Sequence, residues 1–231
     1  MAFSGTYNFA PSVGDLVQNA YGRIGIRRPA LLAEHMTDAR IESNLLLTEF
    51  DNRGVNLWTV DLQSVPLIGG TANYTVPPET ITVLDAYITT NSGSASAFDM
   101  IITSISRSDY AALPNKQDQG QPTLFWYDRL IAPSITLWLV PDQSNTYTLN
   151  YYRYRQIQDS VLTGGLQPEV PVRWLDAFTA ALSARLARIY APAMLAEAKT
   201  EAERTFQIAA NQDTENAPVY LTPAIDSYYH R

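Results

Sequence analysis

The 231-residue chain contains no cysteine and only two histidines, His35 and His230. The first absence removes disulfide scaffolds, thiolate metal sites and cysteine nucleophiles together. The second leaves no paired imidazoles at metal-ligand spacing, so neither a metal nor a cofactor is expected. Positive charge is also scarce: 16 Lys and Arg stand against 23 Asp and Glu, a formal net charge of −7. An acidic surface repels phosphates, which excludes a basic nucleic-acid binder. No apolar run approaches the roughly 18 residues that span a bilayer. Residues Met1 to Tyr7 lack the basic region and apolar stretch of a secretion signal, so the expectation is a protein made in a cytoplasm and soluble there. Without a secretory route, the sequon Asn73-Tyr74-Thr75 is expected to stay unmodified. There is no phosphate loop of the Gly-x-x-x-x-Gly-Lys type and no Gly-x-Ser-x-Gly elbow. Gly22-Arg23-Ile24-Gly25, Gly69-Gly70 and Gly164-Gly165 read as helix ends and turns.

What the chain does contain is a core. Hydrophobic residues make up 46% and aromatic residues 11%, with 14 tyrosines, enough to exclude a disordered chain. Charged residues are only 17%, against the roughly 25% usual for soluble domains, so much of the surface is uncharged. From Ser12 to Ile26, Val13, Leu16, Val17, Ala20, Tyr21 and Ile24 recur at helical spacing. A second helix is expected from about Thr37 to Arg53, with Gly54 as its left-handed cap. These two segments read as a helical hairpin.

The pattern then alternates. Strand-like runs are Val55–Leu62, a short run through Tyr74 and Val76, Thr80–Thr90, Phe98–Ser104, Thr123–Arg129, Ser134–Val140 and Tyr147–Gln156, with Pro, Gly, Asn or Asp in most gaps. Ser106 to Tyr110 opens one helical turn. In the last run Tyr147, Leu149, Tyr151, Arg153 and Arg155 share one face, and Thr148, Asn150, Tyr152 and Tyr154 the other. Such a strand is expected to be covered on both faces, a neighbouring subunit being one candidate cover. Helix returns after Gly165: Leu175, Phe178, Leu182, Leu186 and Ile189 form one stripe, Pro192 interrupts, and Leu195, Ala198, Ala202, Phe206 and Ala209 form another. Beyond about Asn211 no periodicity remains.

The fold class is therefore α+β. The N- and C-terminal helix pairs (1–54 and 161–215) form one helical bundle, a central antiparallel β-rich insertion (55–160) projects from it, and an extended C-terminal arm (216–231) follows.

Chemistry is hard to place on this layout, and no catalytic residue is assigned. Asp99, Asp109, Asp128 and Asp142 lie near aromatics of the β unit, an inventory that a glycoside-cleaving or sugar-binding groove needs; isolated Asp residues beside turns also arise from local hydrogen bonding alone. His35 either caps the second helix or is solvated. Arg173, Arg185 and Arg188 fall outside the apolar stripe and read either as a solvated helix face or as contacts to nucleic acid or a partner's carboxylates. The arm carries Val219, Tyr220, Leu221, Ile225, Tyr228 and Tyr229, aromatic anchors suited to docking, on this subunit or on another chain.

Three stretches together resemble a known family: Asn44-Leu45-Leu46-Leu47 through Gly54-Val55-Asn56-Leu57-Trp58; Ser108-Asp109-Tyr110-Ala111-Ala112-Leu113-Pro114-Asn115-Lys116 with Gly120-Gln121-Pro122-Thr123 and Tyr127; and Pro171-Val172-Arg173-Trp174-Leu175-Asp176-Ala177 with Leu182 and Ala184-Arg185-Leu186-Ala187. The pattern is similar to the head-to-tail adaptors of short-tailed bacteriophages, the tail tubular protein A type of connector. It spans most of the chain, and no single motif in it is diagnostic. The resemblance implies a non-enzymatic virion protein that forms a ring, twelvefold in relatives, beneath the portal. It implies an arm that reaches the portal, a lower face that receives a tail nozzle of the tail tubular protein B type, and an outer insertion facing a nozzle or fibre protein. Mapped here, the outer partner surface would include Trp126, Trp138, Tyr152 and Tyr154. DNA would pass through the lumen without specific binding. The competing readings are another phage neck or tail component and a carbohydrate-binding or carbohydrate-cleaving module.

Overall fold

The computed structural model describes residues 5–54 and 57–214. The elements are α1 (Val13–Arg23), α2 (Ala33–Arg53), β1 (Val60–Pro66), β2 (Asn73–Thr75), β3 (Thr80–Thr90), β4 (Phe98–Ser104), α3 (Arg107–Ala112), β5 (Gln119–Gly120), β6 (Leu124–Asp128), β7 (Ser134–Trp138), β8 (Val140–Pro141), β9 (Tyr147–Arg155), α4 (Leu175–Tyr190) and α5 (Leu195–Gln212).

Local chemistry sets the helix ends. The Ser12 hydroxyl accepts the Asp15 N–H at 3.2 Å and starts α1, while the Asp15 carboxylate accepts from Ser12. Ser106 and Asp109 repeat this reciprocal cap at α3. At α2 the His35 Nδ1 accepts the Leu32 N–H at 3.1 Å. This cap starts the helix at Ala33, ahead of the expected Thr37, and places His35 inside its first turn. Gly54 ends α2 with φ of 70°, a left-handed conformation that only glycine adopts without strain.

Helix α4 is the centre of the bundle, because its alanines, leucines and Phe178 are buried around most of its circumference. Helices α1, α2 and α5 all pack on it. The hairpin expected of α1 and α2 is therefore corrected: each leans on α4, and they meet where the Tyr21 hydroxyl donates to the His35 carbonyl at 2.7 Å. Phe50, Trp174 and Phe206 pack ring against ring with centroids 5.3–5.6 Å apart, uniting α2, the turn before α4, and α5 in one core.

The β unit is a curled seven-stranded sheet in the order β1-β9-β3-β4-β6-β7-β2, with a small β5-β8 ladder beside it. Its inner face buries Ala86, Ile88, Ile102, Phe125, Ile135, Leu137, Leu149 and Tyr151 as a second core. The expectation of an antiparallel unit holds for most pairings, but β4 runs parallel to β6 and β5 parallel to β8. The segment through α3 accounts for the parallel crossing, since it returns the chain to the same edge in the same direction. A second correction concerns the first strand: β1 begins at Val60, and Leu57–Thr59 forms a 3-10 turn. Trp58 packs against Trp174 in the bundle core instead of alternating in a strand.

Candidate interaction surfaces

Two charged networks hold the framework on which any partner surface is displayed. The first lies where sheet meets bundle. Arg153 of β9 has a side chain only 5% exposed, a position tolerable for a guanidinium only when its donors are satisfied. Its Nε and Nη2 donate to both oxygens of Asp61 at 2.7 and 3.2 Å, and Nη1 donates to Glu79 and the Thr80 hydroxyl at 3.0 Å each. Arg155, two residues along the same strand face, forks onto both oxygens of Glu169. Glu169 also accepts the Gln158 N–H, and its carbonyl accepts the Trp58 indole N–H at 3.0 Å. The hydrogen bond from Arg153 holds the Asp61 carboxyl below its usual range, and the bond from Arg155 does the same for Glu169. Glu79 is lowered first by its own backbone N–H and then by Arg153.

The second network lines a cleft of about 330 Å³ between α2, α4 and α5, floored by Leu46, Phe50, Leu195 and Phe206. Arg185 donates to Glu42 at 3.0 Å and to Glu49 at 2.7 Å, and Arg53 bridges Glu49 to Glu203. Burial raises the Glu49 carboxyl, but the bonds from Arg185 and Arg53 outweigh it and the net shift is downward. Arg188 approaches Glu42 at 3.7 Å, and Arg173 pairs with Asp213. The three arginines singled out for nucleic acid or a partner thus all face carboxylates of their own bundle. Arg188, whose side chain is 63% exposed, is the most open of them.

The outer-surface aromatics divide. Trp126 stacks on Tyr110 with ring centroids 5.6 Å apart, and the Trp138 indole donates to the Asn115 carbonyl at 2.8 Å. Tyr152 lies exposed on the open face of the sheet, directly opposite Leu62 and Asp85. Tyr154 is a correction: it is buried at the seam, where its hydroxyl donates to the Asp51 carbonyl of α2. At that end β9 is covered on its second face by its own bundle. Three of the carboxylates considered for catalysis are spent locally. Asp99 accepts from Thr89, Asp109 caps α3, and Asp142 accepts the Ser144 N–H. Among the described residues no cluster of His, Asp and Glu could hold a metal ion, and no helix is long and apolar enough to cross a membrane. The arm residues Val219, Tyr220, Leu221, Ile225, Tyr228 and Tyr229 lie outside the described residues.

Residues 11–224 match the family described as SU10 adaptor protein, a span that takes in every helix and strand above. The chain belongs to the SU10 adaptor protein family. It is a phage adaptor, a structural component of the virion, which agrees with the resemblance to phage adaptors carried by the three stretches. No curated protein sequence matches it. Sequence reasoning had not found Asp61, Glu79 or Glu169 in this adaptor's seam. The available signal was Arg153 and Arg155 on the same face of an otherwise apolar strand, which demands carboxylates opposite. Which carboxylates meet them depends on strand register.

Proposed function

We propose that this adaptor assembles as a ring, twelvefold like the adaptors it resembles, beneath the phage portal, extends the DNA channel, and provides the docking site for the tail nozzle or fibres. The observation that carries the reading is the family match across 11–224. The net charge of −7 supports it, because a channel wall through which DNA moves must not hold phosphates. The charge-poor, tyrosine-rich composition supports it too, since large subunit contacts favour aromatic over charged residues. In this reading the wall of the ring is the four-helix bundle around α4, and the curled sheet faces outward with Trp126, Trp138 and Tyr152 toward the nozzle or fibre. The arm, with Tyr220, Tyr228 and Tyr229 as anchors, gains its contacts only when the portal is present, which disfavours premature rings. The protein acts without catalysis.

The test is to mix the purified chain with the portal ring of its own phage and image the mixture by electron microscopy, alongside a variant ending at Ala217. The expected result is added axial density from the full chain that is lost on truncation. Absence of density from either form would move the adaptor to another neck or tail position.

A further inference from the structure

Helix α2 has an apolar inner side and an uncharged outer line. Its inner side buries Leu46, Leu47 and Phe50. Its outer side runs through Thr37, Ile41, Leu45, Thr48 and Asn52, positions three and four apart that fall on one line. This line carries no charge over about four turns. Ile41 and Leu45 are 49% and 51% exposed. The hydroxyls of Thr37 and Thr48 donate to carbonyls one turn back at 3.1 Å each, so they are spent on the helix itself. A surface helix ordinarily turns charged residues away from its core; along this line α2 turns none, and its exposed Arg40 stands to one side.

The line does not stop at the helix end. Thr48 and Asn52 share a cleft of about 450 Å³ with Ile81, Leu130 and Ile131. Leu130 and Ile131 form the turn between β6 and β7, and Ile131 is 99% exposed. The cleft is mixed, since Asp51, Thr80, Arg129 and Gln156 also line it, and it joins the uncharged line of α2 to the apolar tip of the sheet. At its margins stand Arg40 and Arg129. Neither has a carboxylate partner among the described residues, whereas the arginines of the seam and of the bundle cleft all do.

We infer that this surface, centred on Ile41, Leu45 and Ile131, is where a second copy of the chain docks. The inference rests on the ring reading above and names the face by which copies meet. Charge selects the occupant. Each copy carries −7, so two copies repel unless they touch where carboxylates are few and cations lack ion pairs. The carboxylate in this cleft, Asp51, accepts the Ile157 N–H, and among the described residues Arg129 donates only to the Thr82 hydroxyl. Arg40 and Arg129 then face a net-negative body, a rim that would repel a basic partner. A ring contact is head-to-tail, so the surface meets a different face of the next copy. A stable contact buries about 800 Å² per partner, more than one helix stripe supplies; the stripe and the turn form its apolar centre.

The test is sedimentation of the full chain over rising concentration at low salt, comparing wild type with Leu45→Glu, Arg129→Glu and, on the open sheet face, Ile101→Glu. All three positions carry exposed side chains, and circular dichroism confirms that each variant is folded. The expected result is self-association that weakens at least tenfold in Leu45→Glu, weakens less in Arg129→Glu with a loss of salt sensitivity, and is unchanged in Ile101→Glu. Association of wild type that Leu45→Glu leaves intact would overturn the assigned face while leaving the ring standing. Where wild type stays monomeric alone, as a ring that closes only on the portal allows, the portal mixture reads the face. Axial density is then expected to be lost in Leu45→Glu and kept in Ile101→Glu, and density that Leu45→Glu keeps would overturn the inference.

Discussion

Arg173 and Asp213, forty residues apart in the chain, meet in an ion pair whose carboxylate side chain is only 2% exposed. The same carboxylate accepts the Leu57 N–H. One buried group therefore pins the turn into α4, the end of α5 and the 3-10 turn before β1. Asp213→Ala should lower the unfolding free energy by about 2 kcal/mol, because it strands an amide and a guanidinium. Arg173→Ala leaves the Asp213 carboxylate, 2% exposed, buried without its cation, and should cost about 2–3 kcal/mol although Arg173 itself is 43% exposed. Urea unfolding measures both, and a loss well under about 1 kcal/mol in Arg173→Ala would contradict the need for a cation beside the buried carboxylate.

Arg153 poses a harder test. Removing it leaves Glu79 without its cation and Asp61 with Arg155 alone at 3.4 Å; both carboxylates are more than a third exposed, so Arg153→Met should cost about 1–2 kcal/mol. Arg153→Lys should recover little, since a single ammonium cannot reproduce the fork onto both Asp61 oxygens. Rescue by lysine in a chemical melt would mean that net charge matters there and geometry does not.

The seam also makes stability depend on pH. Asp61, Glu79 and Glu169 all have carboxyls held below their ordinary values of 3.8, 4.5 and 4.5. A depressed carboxyl means that the unfolded chain takes up protons first as the pH drops. The stabilisation is therefore complete above these ordinary values and is lost as the pH falls through the lower folded-state values. Thermal melts between pH 6 and pH 3 should show a falling midpoint in this acid window, flatter in Glu169→Gln. A midpoint that rises on acidification would reverse the sign argued here.

Trp174 is fully buried among Phe50, Phe206 and Trp58, yet its indole N–H has no hydrogen-bond partner among the described residues. Trp174→Ala should cost about 3–5 kcal/mol through the cavity it leaves. Trp174→Phe should cost about 1.5 kcal/mol or less, because no acceptor is orphaned. Denaturation of the two variants side by side distinguishes volume from polarity at this site.

Gly54 closes α2 at a φ of 70° with open space where a Cβ would stand. Gly54→Ala should cost about 1 kcal/mol through backbone strain alone. A cost several times larger in equilibrium unfolding would require a steric contact that the structure does not contain.

Much of the fold was legible because it rests on short-range regularities. Val13, Leu16, Val17, Ala20 and Tyr21 repeat at helical spacing and are buried together. Thr80–Thr90 and Phe98–Ser104 are strands over the residues expected from their composition and punctuation. Trp58 misled because alternation across Val55–Leu62 looks the same whether its large side chain enters a sheet or turns into a neighbouring bundle. The candidate contact residues were less legible. Arg185 and Arg188 read as an outward face from their position beside the α4 stripe, but Glu42 and Glu49 approach from α2, more than a hundred residues earlier in the chain.

By itself the sequence determined the class of this protein: the order of helices and strands, the cap at Gly54, the acidic charge, and the three stretches that resemble phage adaptors. Each is a property of residues close together in the chain or of composition, so no folding is needed to read it. Tertiary structure alone decided that α4 is the central helix, that β4 and β6 run parallel, that Arg153 finds Asp61 and Glu79, and that Tyr154 is covered by α2. These depend on register and on which distant segments are brought together, and many closures are compatible with the same local periodicity. The outer stripe of α2 belongs to both. Its uncharged spacing is written in the sequence, but only the packed bundle shows that those side chains point away from the core.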